Sequence, residues 1–300
     1  MRSFRIRHVD VFTEKAFSGN PLTVIPNAVG LSDVEMQTVA AEFGTPETSF
    51  ILPATGDADY SLRIFSPITE IPFAGHPVLG AAHVFVSELS KGLEASALRH
   101  ETRIGVLELQ VIRGDKVAKL VMDQGRPKLI GGLTEKQVAT VADALQLDEA
   151  AMADSTPQII STGLPQLFLQ LNELDALTKM TPDLVKVKKI EAQLGLTGVG
   201  VFTLETVNRE DSVHLRFFAP SIGINEDAAA GSAAGGVAGY IALCHLLPNE
   251  TLQGFSIEQG LEIGRPSRLY VNVEMKDNAP ENIRVGGYSV TVSTGIISMP

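Results

Sequence analysis

The sequence predicts an α+β protein made of two similar halves, each a sheet curled around one central helix. An almost entirely small and apolar run at 228–241 is typical of a helix buried on all sides, and a second such run covers 73–85. Strand-like segments outnumber helix-like segments and bracket both runs. This alternation around two all-apolar helices favours one architecture made twice.

The same short pattern precedes both apolar runs. Arg-x-Phe-x-Pro ends a strand-like segment at 63–67 and again at 216–220, and Ala-Gly with a polar residue follows, His76 in the first run and Ser232 in the second. The shared order predicts a duplication. A helix start leaves N–H groups without an intrahelical partner. Nearby side chains or a carboxylate-sized anion could accept these hydrogen bonds.

The first half opens with a turn between two strands. Ser32 and Glu35 then form a capping box for a helix that Gly44 ends. Gly114-Asp115 is a hairpin signal. The strand-like segments of this half are 4–12, 22–25, 47–52, 60–65, 107–113 and 116–122.

A Gly- and Pro-rich stretch at 125–132 is the predicted boundary between the halves. Thr134 and Gln137 cap a helix to about Leu147, and a further helix should run from Thr181-Pro182 to Leu194, with proline at its first position. The strand-like segments of the second half are 158–161, 167–171, 199–206, 213–218, 254–258, 268–275 and 283–297.

Composition narrows the class of protein. The chain has 300 residues, 44% of them hydrophobic, enough for one large domain or two ordinary ones. The formal net charge of −11 argues against nucleic acid and against anionic membranes as partners. One cysteine excludes an internal disulfide, and no apolar run reaches the roughly 20 residues of a transmembrane helix. We therefore expect a cytoplasmic protein.

Four polar residues are candidates for chemistry, each with a structural alternative. Glu47 begins an apolar strand and could act as an acid or base, or be an exposed strand-end glutamate. His76, at the first helix start, either serves the site or bonds local backbone. Asp227 lies in a segment expected to be buried, where a lone carboxylate is costly, so it must cap or catalyse. Ser232 could cap the helix or bind an anion.

Several other chemistries are excluded. The six histidines lack the spacing of a metal site. The glycines around 231–236 match neither the dinucleotide fingerprint nor a phosphate-binding loop, and the Gly-x-Ser-x-Gly elbow of α/β-hydrolases does not occur. Cys244 lies late in a predicted helix and is expected to be a core residue.

The chain resembles the phenazine-biosynthesis PhzF-like family, within the diaminopimelate-epimerase-like superfamily. The motifs that carry the resemblance follow one another over nearly the whole chain, at 8–13, 17–21, 47–50, 72–77, 161–165, 226–232, 259–266 and 285–287.

The resemblance implies two β-barrel-like halves, 1–125 with a returning strand at 290–300, and 126–289, with the active site in the cleft between them. It implies a homodimer, a small carboxylate substrate and no cofactor or metal. It also implies the site residues, which are Glu47, His76 and Asp227 as catalytic residues and Asn20, Gly75, Gly231 and Ser232 as substrate-binding residues.

Two departures refine this prediction. Racemases and epimerases of the superfamily carry a cysteine before each helix glycine, whereas this chain has Ala74 and Ala230, which argues against two-thiol epimerisation. The loop after Asp227 is alanine-rich, which bears on the substrate more than on the chemistry. We predict a cofactor-independent isomerase that moves a proton and a double bond in a small carboxylate resembling dihydro-hydroxyanthranilate. The alternative is a small-carboxylate-binding protein with the same fold and no turnover.

Overall fold

The computed structural model describes residues 1–89, 96–114 and 118–300. The chain forms two compact units, Met1–Met122 with Gly286–Pro300, and Asp123–Val285. Part of the predicted hairpin turn, from Asp115 onward, lies outside the described residues. A search of those residues finds no helix long and apolar enough to span a bilayer.

The elements follow in chain order. Up to the start of the second unit they are β1 (Arg2–Val11), β2 (Asn20–Ile25), α1 (Asp33–Phe43), β3 (Glu47–Leu52), β4 (Tyr60–Phe65), β5 (Glu70–Ile71), α2 (Gly75–Val84) with a π-helical extension (Phe85–Leu89), β6 (Ala97–Thr102), β7 (Gly105–Ile112) and β8 (Lys119–Gly125). They continue with β9 (Lys128–Gly132), α3 (Glu135–Leu145), β10 (Gln158–Ser161), β11 (Pro165–Gln170), α4 (Leu174–Lys179), α5 (Leu184–Leu194), β12 (Val199–Thr203), β13 (Val213–Phe218), α6 (Gly231–Leu243), α7 (Asn249–Leu252), β14 (Phe255–Gln259), β15 (Ser267–Lys276), β16 (Ala279–Gly287) and β17 (Ser289–Met299).

Both units use the same order of strand pairings. In the first, β2 is parallel to β3, β3 antiparallel to β4, β4 parallel to β6, and β6 antiparallel to β7. In the second, β11 is parallel to β12, β12 antiparallel to β13, β13 parallel to β14, and β14 antiparallel to β15. Parallel strands need a crossover, and helices supply each one, with α2 and α6 in matching places. The two predicted halves are therefore similar in their connections.

In each unit the strands surround one small-residue helix, as the sequence predicts. Helix α2 packs against β1, β2, β3, β4 and β17, and α6 against β10, β11, β12 and β15. Small residues permit this contact, because a Cβ on Gly80 would lie 2.3 Å from Leu22 Cδ2. In α6, a Cβ on Gly236 would lie 2.2 Å from the ring of Phe168.

The other helices cover the outer faces of the sheets. Helix α1 packs in a cluster with Met36, Val39 and Phe50 at its centre, and α3, α4 and α5 pack in a second cluster of this kind. Both predicted capping boxes are present, at the starts of α1 and α3. The predicted start of α5, with Pro182 at the first helical position, was wrong. The helix begins at Leu184, and Asp183 is its N-cap and accepts from two backbone N–H groups.

The repeated Arg-x-Phe-x-Pro pattern has a structural explanation. Arg63 donates from Nε and Nη2 to the two carboxylate oxygens of Glu70, both at 2.8 Å, and Arg216 makes the same bidentate pair with Glu226, again at 2.8 Å. Each guanidinium also lies 5.2 Å from the centre of the phenylalanine ring two residues on. These paired contacts fix the strand that precedes each central helix.

Candidate active site

Glu47 and His76 lie in contact inside the first unit. Glu47 is the first residue of β3 and His76 the second of α2, and both are buried, at 8% and 7% exposure. His76 Nε2 lies 3.1 Å from Glu47 Oε2. The parallel pairing of β2 with β3, which sets Leu22 opposite Glu47, brings the carboxylate to the start of the helix.

Asn20 completes a chain of three polar side chains. It is the first residue of β2, is 1% exposed, and places Nδ2 3.3 Å from Nδ1 of His76. An amide nitrogen can only donate, so Nδ1 accepts and a neutral imidazole carries its proton on Nε2. Nε2 is the ring nitrogen that faces Glu47, 3.1 Å from Oε2, without the alignment of a hydrogen bond. Asn20 therefore orients the imidazole, and the imidazole lies against the carboxylate of Glu47.

Hydroxyl groups hold the backbone under Glu47. Thr45 Oγ1 donates to the carbonyl of Glu47 at 2.8 Å and lies 3.1 Å from Thr23 Oγ1. Ser49 Oγ donates to the carbonyl of Pro77 at 3.1 Å and so joins β3 to α2. Sequence reasoning missed these threonine and serine contacts, because they depend on strand register.

Neither central helix is capped by the side chain of the residue at its N-cap. The residue before each first turn is an alanine, Ala74 for α2 and Ala230 for α6, with extended backbone and no capping hydrogen bond. The sequence left open whether Asp227 caps the second helix or catalyses. Its Oδ1 accepts from the N–H of Ala229 at 3.2 Å, before the helix begins, and Asp227 is half-buried rather than buried.

The second unit repeats one feature of the first. Ser232, like His76, is the second residue of its central helix, and its Oγ accepts from Nε2 of Gln166 at 3.1 Å. Gln166 lies at the beginning of β11, as Asn20 lies at the beginning of β2. Thus in both units an amide donates to the side chain at the second helix position. Gly231 is held as well, because its carbonyl accepts from Gln124 Nε2 at 2.8 Å.

A buried cation lies in the second unit between two carboxylates. His214 is fully buried, with Nδ1 2.7 Å from Glu258 and Nε2 2.8 Å from Glu262. Burial alone would lower the pKa of His214, but the hydrogen bonds and charges of the two glutamates outweigh burial and raise the pKa to about 9. Burial raises the carboxyl pKa values, yet contact with the imidazolium leaves both below their ordinary range. Sequence reasoning missed this group, because its contacts depend on strand pairing.

No group of three or more metal-ligating side chains occurs within the part of the chain that the structure describes. Of the predicted site residues, Asn20 contacts His76, and His76 contacts Glu47. Gly75 begins α2, and Gly231 and Ser232 begin α6.

Comparisons with known proteins agree with this architecture. A sequence profile described as phenazine biosynthesis-like protein (PhzC-PhzF) matches residues 9–295. An uncharacterised isomerase of Clostridium acetobutylicum is 31% identical over 296 residues, covering 97% of both chains. The trans-2,3-dihydro-3-hydroxyanthranilate isomerase of Pseudomonas aeruginosa is 31% identical over 288 residues, covering 96% of both.

Solved structures agree as well. A PhzF-family phenazine biosynthesis protein of Bacillus anthracis superposes with a TM-score of 0.88 at 26% identity and full coverage of both chains. A hydroxyproline epimerase of Agrobacterium vitis gives a TM-score of 0.64 at 9% identity, covering 99% of this chain and 91% of that one, and shares the fold alone.

Fold and relatives together define an isomerase with the diaminopimelate-epimerase-like fold, so the predictions of fold class and of an enzyme are confirmed. Within that class, the chain belongs to the phenazine biosynthesis-like, or PhzF, family, as its motifs predict.

Proposed function

We propose that this protein moves a proton, and with it a double bond, within a small unsaturated carboxylate, by general acid–base catalysis at Glu47 and without a cofactor. The observation that carries the proposal is the buried Asn20–His76–Glu47 chain, which places a carboxylate 3.1 Å from an imidazole that Asn20 orients. The name of the Pseudomonas aeruginosa relative makes trans-2,3-dihydro-3-hydroxyanthranilate the substrate to test first.

In the proposed reaction Glu47 begins as the carboxylate. It takes a proton from one carbon, the electron pair of that C–H bond moves into the conjugated system, and the double bond migrates. The proton then returns from Glu47 to another carbon, so that no atom or electron is gained or lost. His76 Nε2 lies 3.1 Å from Oε2, on one side of the carboxylate, and we assign Oε1 to the substrate proton.

One base serves both proton transfers in this proposal. Ala74 and Ala230 stand where a two-thiol epimerase has cysteines. Val199 begins β12 where Glu47 begins β3, so the matching strand of the second unit starts without a carboxylate. A single base can carry the abstracted proton back to the same molecule, and we therefore expect part of a substrate deuterium label to be retained in the product.

The remaining predicted residues complete the proposed site. The starts of α2 and α6, at Gly75 and Gly231, follow alanine N-caps and offer backbone N–H groups and the positive end of a helix dipole to a carboxylate. Asp227 is the further catalytic residue and holds or relays a proton on another substrate atom. Ser232 binds the substrate, and Asn20 binds it besides orienting His76.

We also propose that the protein works as a homodimer in the cytoplasm. The family resemblance supports the dimer, and the single cysteine and the net charge of −11 fit a reducing compartment without anionic partners. Light scattering after size exclusion tests the assembly. A mass twice the 32.0 kDa of one chain is expected, and the single-chain mass at micromolar concentration would overturn the dimer.

The decisive test is proton exchange into the substrate in D₂O, followed by NMR. Wild type should isomerise trans-2,3-dihydro-3-hydroxyanthranilate and introduce deuterium at carbon. Glu47→Gln should lose about 10²–10⁴-fold of this activity, the usual contribution of a general acid–base group. Glu42→Gln, the same change on the exposed face of α1, is the matched control and should keep wild-type activity. Activity of Glu47→Gln within tenfold of wild type would refute the assignment.

A further inference from the structure

The motif at 259–266 has no part in the proposed chemistry, yet its first residue holds the loop before α6. Gln259 is the last residue of β14 and is fully buried. Its Nε2 donates to the carbonyl of Asp227 at 2.8 Å, and its Oε1 accepts from the N–H of Ala230 at 3.2 Å. One side-chain amide thus bridges both ends of the segment 227–230.

The next residue, Gly260, lies directly against the same segment. Gly260 has a φ of +78°, and a Cβ there would lie 2.5 Å from the carbonyl oxygen of Ala228. Only glycine allows both this backbone conformation and this close approach. Glu262, two residues further along, is held by buried His214, so the turn that carries Gly260 is itself anchored.

We propose that Gln259 is a positioning residue for the reaction, an inference that rests on the proposed function. Its Oε1 accepts the hydrogen bond of the Ala230 N–H, which is the last N–H before the helix. The N–H groups beginning at Gly231 therefore stay directed at the substrate. Its Nε2 fixes the carbonyl of Asp227 and thereby the direction of that carboxylate. Gln259 touches no reacting atom in this account and acts through Asp227 and the start of α6.

The test compares Gln259→Met, which keeps the length of the side chain and removes both hydrogen bonds, with Gln259→Glu, which keeps the acceptor and removes the donor. Gln170→Met is the matched control, because Gln170 accepts from Ser155 at 2.9 Å elsewhere in the same unit. Each variant is measured for melting temperature, for kcat and KM with trans-2,3-dihydro-3-hydroxyanthranilate, and for amide hydrogen exchange by mass spectrometry.

Gln259→Met should lose about 10²-fold in kcat/KM, since a displacement near 1 Å in a reactive group has effects of this size. Amide exchange should accelerate in peptides covering 227–232 and stay unchanged in peptides from β10 and β15. Gln259→Glu should lose less, because the bond to Ala230 remains, and Gln170→Met should stay within twofold of wild type. A residue that merely stabilises the fold would lower the melting temperature without this local exchange or this kinetic loss.

The outcomes separate this inference from the proposed function. Turnover by Gln259→Met within twofold of wild type overturns the positioning role while the proposed function stands. If the wild type shows neither turnover nor exchange at carbon, the proposed function is refuted. Amide hydrogen exchange alone then tests the role of Gln259. Faster exchange confined to 227–232 supports the role of Gln259 in fixing the loop, and unchanged exchange overturns it. If Gln259→Met does not fold, the same measurements of kcat/KM and of amide exchange at 227–232 are made on Gln259→Glu, for which the smaller loss is expected.

Discussion

The substitution Asn20→Asp should convert His76 from a neutral imidazole beside an amide into an imidazolium between two carboxylates, the environment that His214 already has. In the wild type, the Asn20 amide nitrogen lies 3.3 Å from Nδ1 of His76, which favours a neutral imidazole with its proton on Nε2. Asn20→Asp replaces that donor with an acceptor and leaves His76 between two carboxylates. The chain already contains this arrangement in His214, which lies between Glu258 and Glu262.

The size of the effect can be taken from that internal comparison. Two carboxylates raise the pKa of His214 to about 9 from the ordinary value of 6.5. Since one pKa unit corresponds to about 1.4 kcal/mol, the difference amounts to about 3 kcal/mol in favour of the imidazolium. In Asn20→Asp the imidazolium form of His76 should therefore be favoured by the second carboxylate. We expect an imidazolium 3.1 Å from Glu47 to make this carboxylate a weaker base by a factor of the same order, about 10²-fold.

Two assays test the reasoning. Nitrogen-15 NMR of the imidazole distinguishes the tautomers, and it should report the Nε2–H form of His76 in wild type and the doubly protonated form in Asn20→Asp near pH 7. The kcat/KM for isomerisation should fall by about 10²-fold in Asn20→Asp. Asn20→Leu is the control that removes the amide without adding charge, and it should lose only about tenfold, the value of one buried hydrogen bond. An Nδ1–H tautomer in wild type, or near-wild-type activity of Asn20→Asp, would refute the argument.

Three further predictions concern stability, each measured by urea unfolding. His214→Phe should lower the free energy of unfolding by about 3–5 kcal/mol, because two buried carboxylates lose their cation; in wild type this contribution is complete below about pH 6.5 and is lost as the pH rises through about 9. His100 acts in the opposite sense, because burial lowers its pKa to about 4. The free energy of unfolding of the wild type should therefore fall by up to about 3 kcal/mol as the pH falls from 6.5 to 4. His100→Phe should remove that dependence on pH, and equal slopes for the two proteins would contradict the assignment. Gly80→Ala should cost about 1–3 kcal/mol, since the added Cβ would lie 2.3 Å from Leu22, and wild-type stability would refute the close packing.

Features encoded within a few residues were predictable from the sequence. The capping boxes at Ser32 and Thr134 depend on a partner three residues on, and both are present. The start of α5 was misplaced because proline at a first helical position and aspartate at an N-cap are competing signals one residue apart. Helix α4 escaped notice because it has six residues and no side-chain cap. The predicted run at 283–297 divides into β16 and β17.

The candidate site shows the limit of this reasoning more sharply. Glu47 and His76 could each be singled out by local context, but their contact depends on the parallel register of β2 with β3 and on the place where α2 begins. No periodicity in the sequence carries that register. The same holds for His214 and Glu258, which are direct partners across β13 and β14. Sequence reasoning therefore could not predict which side chains on crossover-connected strands meet, although it did single out Glu47 and His76 individually.

The duplication allows one more step. Both units keep an amide that donates to the second residue of the central helix, Asn20 to His76 and Gln166 to Ser232. In the second unit a serine takes the place of the imidazole, and Val199 begins the strand where Glu47 stands in the first unit. Since the scaffold is common to both units and the base is not, the shared amide bonds belong to the architecture of the fold. The imidazole and the carboxylate are what distinguish the first unit, and for this reason we assign the proton transfer to it.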